Sequence, residues 1–189
     1  MKLTALVLFL AIPAFACAQS EMACPMHAEH QQAASAHAAG VDARGDQAMG
    51  FSHMKSAHHF RLFPDGGAIE VVANSTDDTA TRDAIQAHLA HIAHMFTGGD
   101  FQLPMFIHDT VPPGVPVMQS RRSAIAYTFE PIPQGGRVRI VTADPDALKA
   151  VHDFLTFQIQ DHRTGDPLEV APAPLTAGNT PPATPASPR

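Results

Sequence analysis

Histidine and methionine dominate the side-chain chemistry of this chain, with 12 His and 8 Met against 2 Cys in 189 residues. Imidazoles and thioethers are metal donors more than they are solubilising groups, and here they gather in clusters. Cys24, Met26 and His27 sit side by side near the start, and His53, Met54, His58 and His59 follow. His88, His91 and Met95 recur at helical spacing. At about 100° per residue His88 and Met95 project within about 20° of each other, with His91 beside them. They are two turns apart, roughly 10 Å along the axis, so a pair completed from another element is easier to build than a shared three-donor site. His108 precedes Asp109, a carboxylate able to orient an imidazole from outside. Thiolate, thioether and imidazole together favour Cu(I) over hard ions such as Mg or Ca, and imidazole also accepts Cu(II) or Zn. Each cluster has a metal-free reading: an arm whose donors share nothing, a polar opening strand, a helix flank with Met95 filling core space. His152 reads as a structural histidine, whereas His162, at the end of a helix, can either cap carbonyls or reach a site between two repeats.

The run Met22-Ala23-Cys24-Pro25-Met26-His27-Ala28-Glu29-His30 resembles the heavy-metal-binding module found at the termini of copper-transporting ATPases and some metal-efflux proteins, whose signature centres on Cys-Pro-Met-His-Pro. Cys24, Pro25, Met26 and His27 match it. Ala28 replaces the second proline, and Met22-Ala23 stand where the family has an aromatic residue and Thr. The resemblance implies a metal-related role for this short stretch and says nothing about the rest of the fold.

These donors must be positioned by one small folded unit. Residues 1–18 combine an early Lys, a short apolar run and a small-residue end, the pattern of a secretory signal peptide. Cleavage after Ala18 leaves a periplasmic chain with Cys24 as its one thiol. Lipoprotein processing at Cys17 lacks the usual large aliphatic residue, since Ala14 stands there. Residues 19–55, rich in Ala, Gln, Gly and His, read as a flexible metal-binding arm. Residues 167–189 hold seven prolines and read as an extended, disordered tail.

Residues 56–166 repeat one plan twice. Segments 59–63 and 68–73 flank Pro64-Asp65-Gly66-Gly67, and segments 124–131 and 137–142 flank Pro133-Gln134-Gly135-Gly136. Each reads as a hairpin with glycines in its turn. Each is followed by a helix: Ile85, Leu89, Ile92 and Phe96 form one apolar stripe after caps at Asp77, Asp78 or Thr79, and Leu148, Val151, Leu155 and Ile159 form the other after Asp144-Pro145. The expectation is an α+β fold, a tandem ββα repeat whose four-stranded antiparallel sheet is covered by two helices. The proline-rich connection over residues 101–118 is expected to be irregular. Aligning the two units sets His88 against Phe154 and His91 against Phe157, so one half is specialised.

A formal charge of -6, no Trp and one Tyr offer neither the positive field nor the stacking surface of a nucleic-acid binder. Phosphate loops, zinc-protease helices and serine elbows are absent from the sequence. The function expected is a periplasmic copper-binding protein that sequesters or transfers the ion by ligand exchange. Its partners would be the metal ion, a periplasmic or membrane metal-transport protein, and a second copy if a homodimer supplies missing ligands. Two rivals stand beside it: a metal-free periplasmic adaptor with structural histidines, and a copper-dependent redox enzyme.

Overall fold

The computed structural model describes residues 25–172, with side chains from Glu29 onward. The proposed signal peptide, Cys24 and residues 173–189 lie outside the described residues, as do the side chains of Met26 and His27.

Alternation of apolar and polar residues sets the strands. In β1 (Ser56–Phe63), Phe60 and Leu62 are buried on one face, while His59 and Arg61 point the other way. β2 (Gly66–Ala73) contributes Ile69 and Val71, β3 (Ile125–Ile132) Ile125 and Tyr127, and β4 (Gly135–Thr142) Val138 and Ile140 to the same face. The sheet order is β1-β2-β4-β3, antiparallel throughout. Both hairpin loops are shorter than the glycines suggest. Phe63 pairs with Gly66 and Ile132 with Gly135, so Pro64-Asp65 and Pro133-Gln134 make the turns and the glycine pairs open the returning strands.

Two amphipathic helices cover the apolar face. α2 (Thr79–Gly98) is capped by Asp78, whose side chain accepts from Thr81 N–H, and buries Ile85, Leu89, Ile92 and Phe96. α5 (Pro145–Asp161) is capped by Asp144 with Pro145 in its first turn, and buries Val151, Phe154, Leu155 and Ile159. Leu148 is only half-buried. The opposite sheet face carries ion pairs, among them Arg137 with Glu70 at 2.6 Å and Arg139 with Asp65 at 2.5 Å.

Two expectations are corrected. Residues 101–118 are not irregular throughout: α3 (Gln102–His108) and α4 (Val115–Ser120) form on either side of an irregular link over 109–114, because Pro104 and Pro116 fall in first turns, where the missing N–H has no intrahelical partner to lose. Much of the flexible arm is likewise α1 (Pro25–Met49), a 25-residue helix. Alanine has the highest helix propensity, and Ala38 and Val41 bury against α3. Its first half is exposed from Glu29 to His37. Full burial of Val41 adds only about 1.5–3 kcal/mol, so α1 is a lightly docked element. Polar ties supplement this: Arg44 Nε donates to Ile107 O at 2.7 Å, and Asp42 lies 3.6 Å from Arg163.

The glycines opening β2 mark where the layers approach most closely. A Cβ on Gly67 would lie 2.2 Å from Leu155 Cδ1 and 2.4 Å from Arg61 O, whereas one on Gly45 of α1 would meet only Met49 Cε at 3.6 Å. Gly67→Ala should therefore destabilise the chain by about 1–3 kcal/mol through overpacking. Gly45→Ala should stabilise it by roughly 0.5–1 kcal/mol through helix propensity. Urea unfolding checks both signs, and a shared sign would contradict this packing.

Candidate functional site: a buried histidine cavity

His58 is two residues before Phe60 in β1 and so turns into the core instead of the solvent. Its ring stacks on that of His162, just beyond α5, with centroids 5.6 Å apart and planes 3° apart. His108, at the end of α3, meets His162 edge-on at 4.9 Å and 83°. His88, from α2, reaches the same space with its outer edge against Phe51 at 5.9 Å. Imidazoles from β1, α2 and α3, with His162 after α5, thus line one cavity of about 70 Å³, lined elsewhere by Phe60, Leu89, Phe96 and Phe154. It has room for roughly five waters, counting about 15 Å³ for each.

The surroundings keep three of these rings, His58, His88 and His162, neutral. Burial lowers His58 to about 4, helped by His88, His59 and His53. Burial and then His91 lower His88 to about 4. Burial, with His58 and His108 adding to it, lowers His162 to about 3 despite the opposing pull of Asp161. A neutral imidazole offers a lone pair, the form in which histidine ligates metals.

His108 is held differently. Its Nδ1–H donates to Asp161 Oδ2 at 2.5 Å, while Asp161 Oδ1 accepts from His37 Nε2 of α1 at 2.8 Å. Burial would raise the Asp161 pKa, but the hydrogen bonds from His108 and His37 outweigh it and hold the carboxyl below its usual range. His108 Nε2 is 2.9 Å from the Gln158 amide oxygen, while Gln158 Nε2 is buried without a partner. Turning this amide pairs Nε2–H with the ring lone pair and removes the orphan donor, an assignment that the network itself selects. With both ring nitrogens occupied, His108 is a wall of the cavity and an orienting neighbour of His162.

The other sequence candidates disperse. His53 is tied to Asp46, whose Oδ1 accepts from its backbone N–H at 2.6 Å and lies 2.9 Å from Nδ1. Met54 is 75% exposed, and His59 lies on the far sheet face, 3.1 Å from Asp166. His91 points to solvent, and Met95 packs against the core, so the proposed edge of His88, His91 and Met95 does not form one site. His152 is structural, its Nε2 within 3.0 Å of Phe63 O and Gly66 O. Among the described residues, no three His, Cys, Asp or Glu side chains form a group that could hold a metal ion. Met49, Gln158 and Asp161 were not legible as site residues, and His162 was only half so.

The internal repeat supplies a control. Aligning the hairpin glycines and the helix ends at Gly99 and Gly165 puts Tyr127 opposite His58 and Phe96 opposite His162. Phe96 and Tyr127 also meet at 5.6 Å, although edge-on at 74°. The same frame therefore closes one end with aromatic rings and the other with imidazoles. No family model, curated protein or solved structure matches the chain.

The three depressed histidines fix the response to acid. Below about pH 6.5 the unfolded chain binds protons that the folded chain refuses, so stability is lost as pH falls from 6.5 towards 4. Each such imidazole contributes roughly 1 kcal/mol per pH unit within that window. The double variant His58→Tyr, His162→Phe should fold and lose less stability over the same interval, His88 accounting for what remains. Urea midpoints across the pH series test this, and equal acid sensitivity in the two proteins would refute it.

Proposed function

We propose that the chain is an exported copper-binding protein that takes up Cu(I) in the histidine cavity and releases it by ligand exchange. The observation that carries this reading is the convergence of His58, His88 and His162 on one cavity, at positions where the aligned half of the same fold uses hydrocarbon or phenol. Neutral imidazoles suit a soft or borderline cation. Zinc in structural sites is almost always held by four ligands, whereas the thiolate and thioether donors of this chain suit Cu(I).

Cys24, Met26 and His27 stand next to α1 in sequence and suit a capture role. Ligand exchange from them to the cavity requires no bond making beyond metal coordination. Among the described residues no helix is long and apolar enough to cross a membrane. The periplasm follows from the leader-like residues 1–18, and a transport protein or a second copy of the chain would receive the ion. Acid should weaken the loaded state, because protons compete for imidazole nitrogen and thiolate sulfur.

Anaerobic competition titration of the untagged mature chain should find Cu(I) retained near one equivalent. His58→Phe with His162→Phe should weaken it by about 10- to 100-fold or more, since losing even an outer partner of a ligand costs that much. Cys24→Ser with Met26→Ala should slow uptake without altering the urea midpoint. Unchanged affinity in the histidine variant would remove the cavity from the mechanism.

A further inference from the structure

The cavity has one wall unlike the others. Those from α2, α5 and the sheet are core, with Leu89, Phe96, Phe154 and Val71 at 2% exposure or less. The wall from α1 consists of Gly45 and Met49. Helix α1 buries only Ala38, Val41 and Gly45 and is otherwise held by exposed and part-buried polar ties: His37 to Asp161, Asp42 to Arg163, Arg44 to Ile107 O, and Asp46 to His53. Such ties exchange readily with water, so this is the wall that can leave and return while the sandwich stays closed.

Met49 is the last residue of α1 and is followed by Gly50 at φ 74, the left-handed position that ends helices. Among the described residues lining the cavity it brings the sulfur; the other cavity donors are imidazole nitrogens and the Gln158 amide. Met105 and Met118 are not in the lining, and Met118 is sealed in the core. A thioether on three rotatable bonds can meet an ion held by imidazoles behind it, and it binds Cu(I) well and Zn poorly.

We propose that Met49 is the soft third donor to an ion held by the cavity imidazoles, so that it sets the preference for Cu(I) and makes ion binding and the docking of α1 one coupled event. The inference rests on the copper-binding reading above. Coupling follows from linkage: a ligand that bridges α1 to β1 and α5 binds the docked state better than the undocked one and shifts the population towards it. In the ion-free chain α1 opens locally; in the loaded chain the metal joins it to the body of the fold.

The test uses the full mature chain carrying Met22→Ala, Cys24→Ser and Met26→Ala, so that sulfur near the N-terminus cannot substitute. Met49→Leu is made in that background, preserving apolar bulk. Anaerobic Cu(I) competition, Zn(II) titration and hydrogen exchange of the α1 amides are compared with and without metal. Expected is Cu(I) affinity reduced roughly 10-fold or more by Met49→Leu, Zn(II) affinity unchanged, and exchange of α1 slowed by Cu(I) in the parent but not in the variant. Without metal, the two should exchange alike. Equal Cu(I) affinities, or equal protection of α1 by Cu(I), would overturn the role of Met49 while leaving the copper reading intact. A parent that retains no Cu(I) would overturn both.

Discussion

The pairing of β2 with β4 joins the two repeats, and the rest of the molecule depends on it. Each hairpin alone is a two-stranded sheet with one apolar face, marginally stable at best in water. Joining the units along their returning strands makes one four-stranded face, which α2 and α5 can cover together. The join also crosses the units over: α2 packs on β3 and β4 as well as β2, while α5 packs on β1 and β2 as well as β4. Gly67 and Gly136 keep the sheet thin under Leu155 and Leu89, whose side chains would otherwise meet a Cβ. A site between β1 and α5 is therefore a site between repeats, composed of residues far apart in sequence.

That crossed arrangement explains why the imidazole end can exist. The aromatic cluster of Phe96, Phe101, Phe154 and Tyr127 supplies close-packed contacts at the middle and one end. The other end can then tolerate polar rings whose charged forms are excluded by burial. Three neutral histidines contribute less to folding than hydrocarbon of the same size would, and they make the protein sensitive to acid. A frame that solves the same packing problem with Phe96 and Tyr127 has no structural need for His58 and His162. That asymmetry, more than the number of histidines, marks the imidazole end as the candidate site.

The sandwich was legible because its signals are local: alternation in the strands, the stripes of α2 and α5, and the caps Asp78 and Asp144. The first helix was not, since its packing face is written in Ala38, Val41 and Gly45, small residues that read as low complexity until α3 is placed beside them. Prolines misled in residues 101–118 because Pro104 and Pro116 occupy first helical turns. In the site, His58 and His88 were visible by type, but whether a strand histidine points into the core depends on register; His58 and His59 differ by one residue and face opposite sides. His162 became legible only through the repeat, as the counterpart of Phe96. Met49 carries no sequence signal of its own, since its place in the cavity lining depends on where the end of α1 comes to rest.

The stacking of His162 on His58 is set by a device at the sheet edge. Asp166 follows the left-handed Gly165 and accepts a hydrogen bond from Phe60 N–H at 3.0 Å, while Arg61 and His59 lie 3.2 and 3.1 Å from its Oδ1. Burial opposes the charge on this carboxyl, yet the Phe60, Thr164 and His59 hydrogen bonds hold its pKa below the usual range. Asp166 thus pins the end of α5 to the outer strand, and Ala171 N–H continues the contact to Leu62 O at 2.9 Å. An edge that would otherwise expose unpaired backbone groups is covered, and the same bonds bring the ring at 162 over the ring at 58. In the first repeat the corresponding Asp100 accepts from Gln102 N–H instead, starting α3 and leaving β3 without such a strap. One aspartate position is thus used in two ways, pinning the end of α5 to β1 in one repeat and opening α3, whose His108 meets His162, in the other.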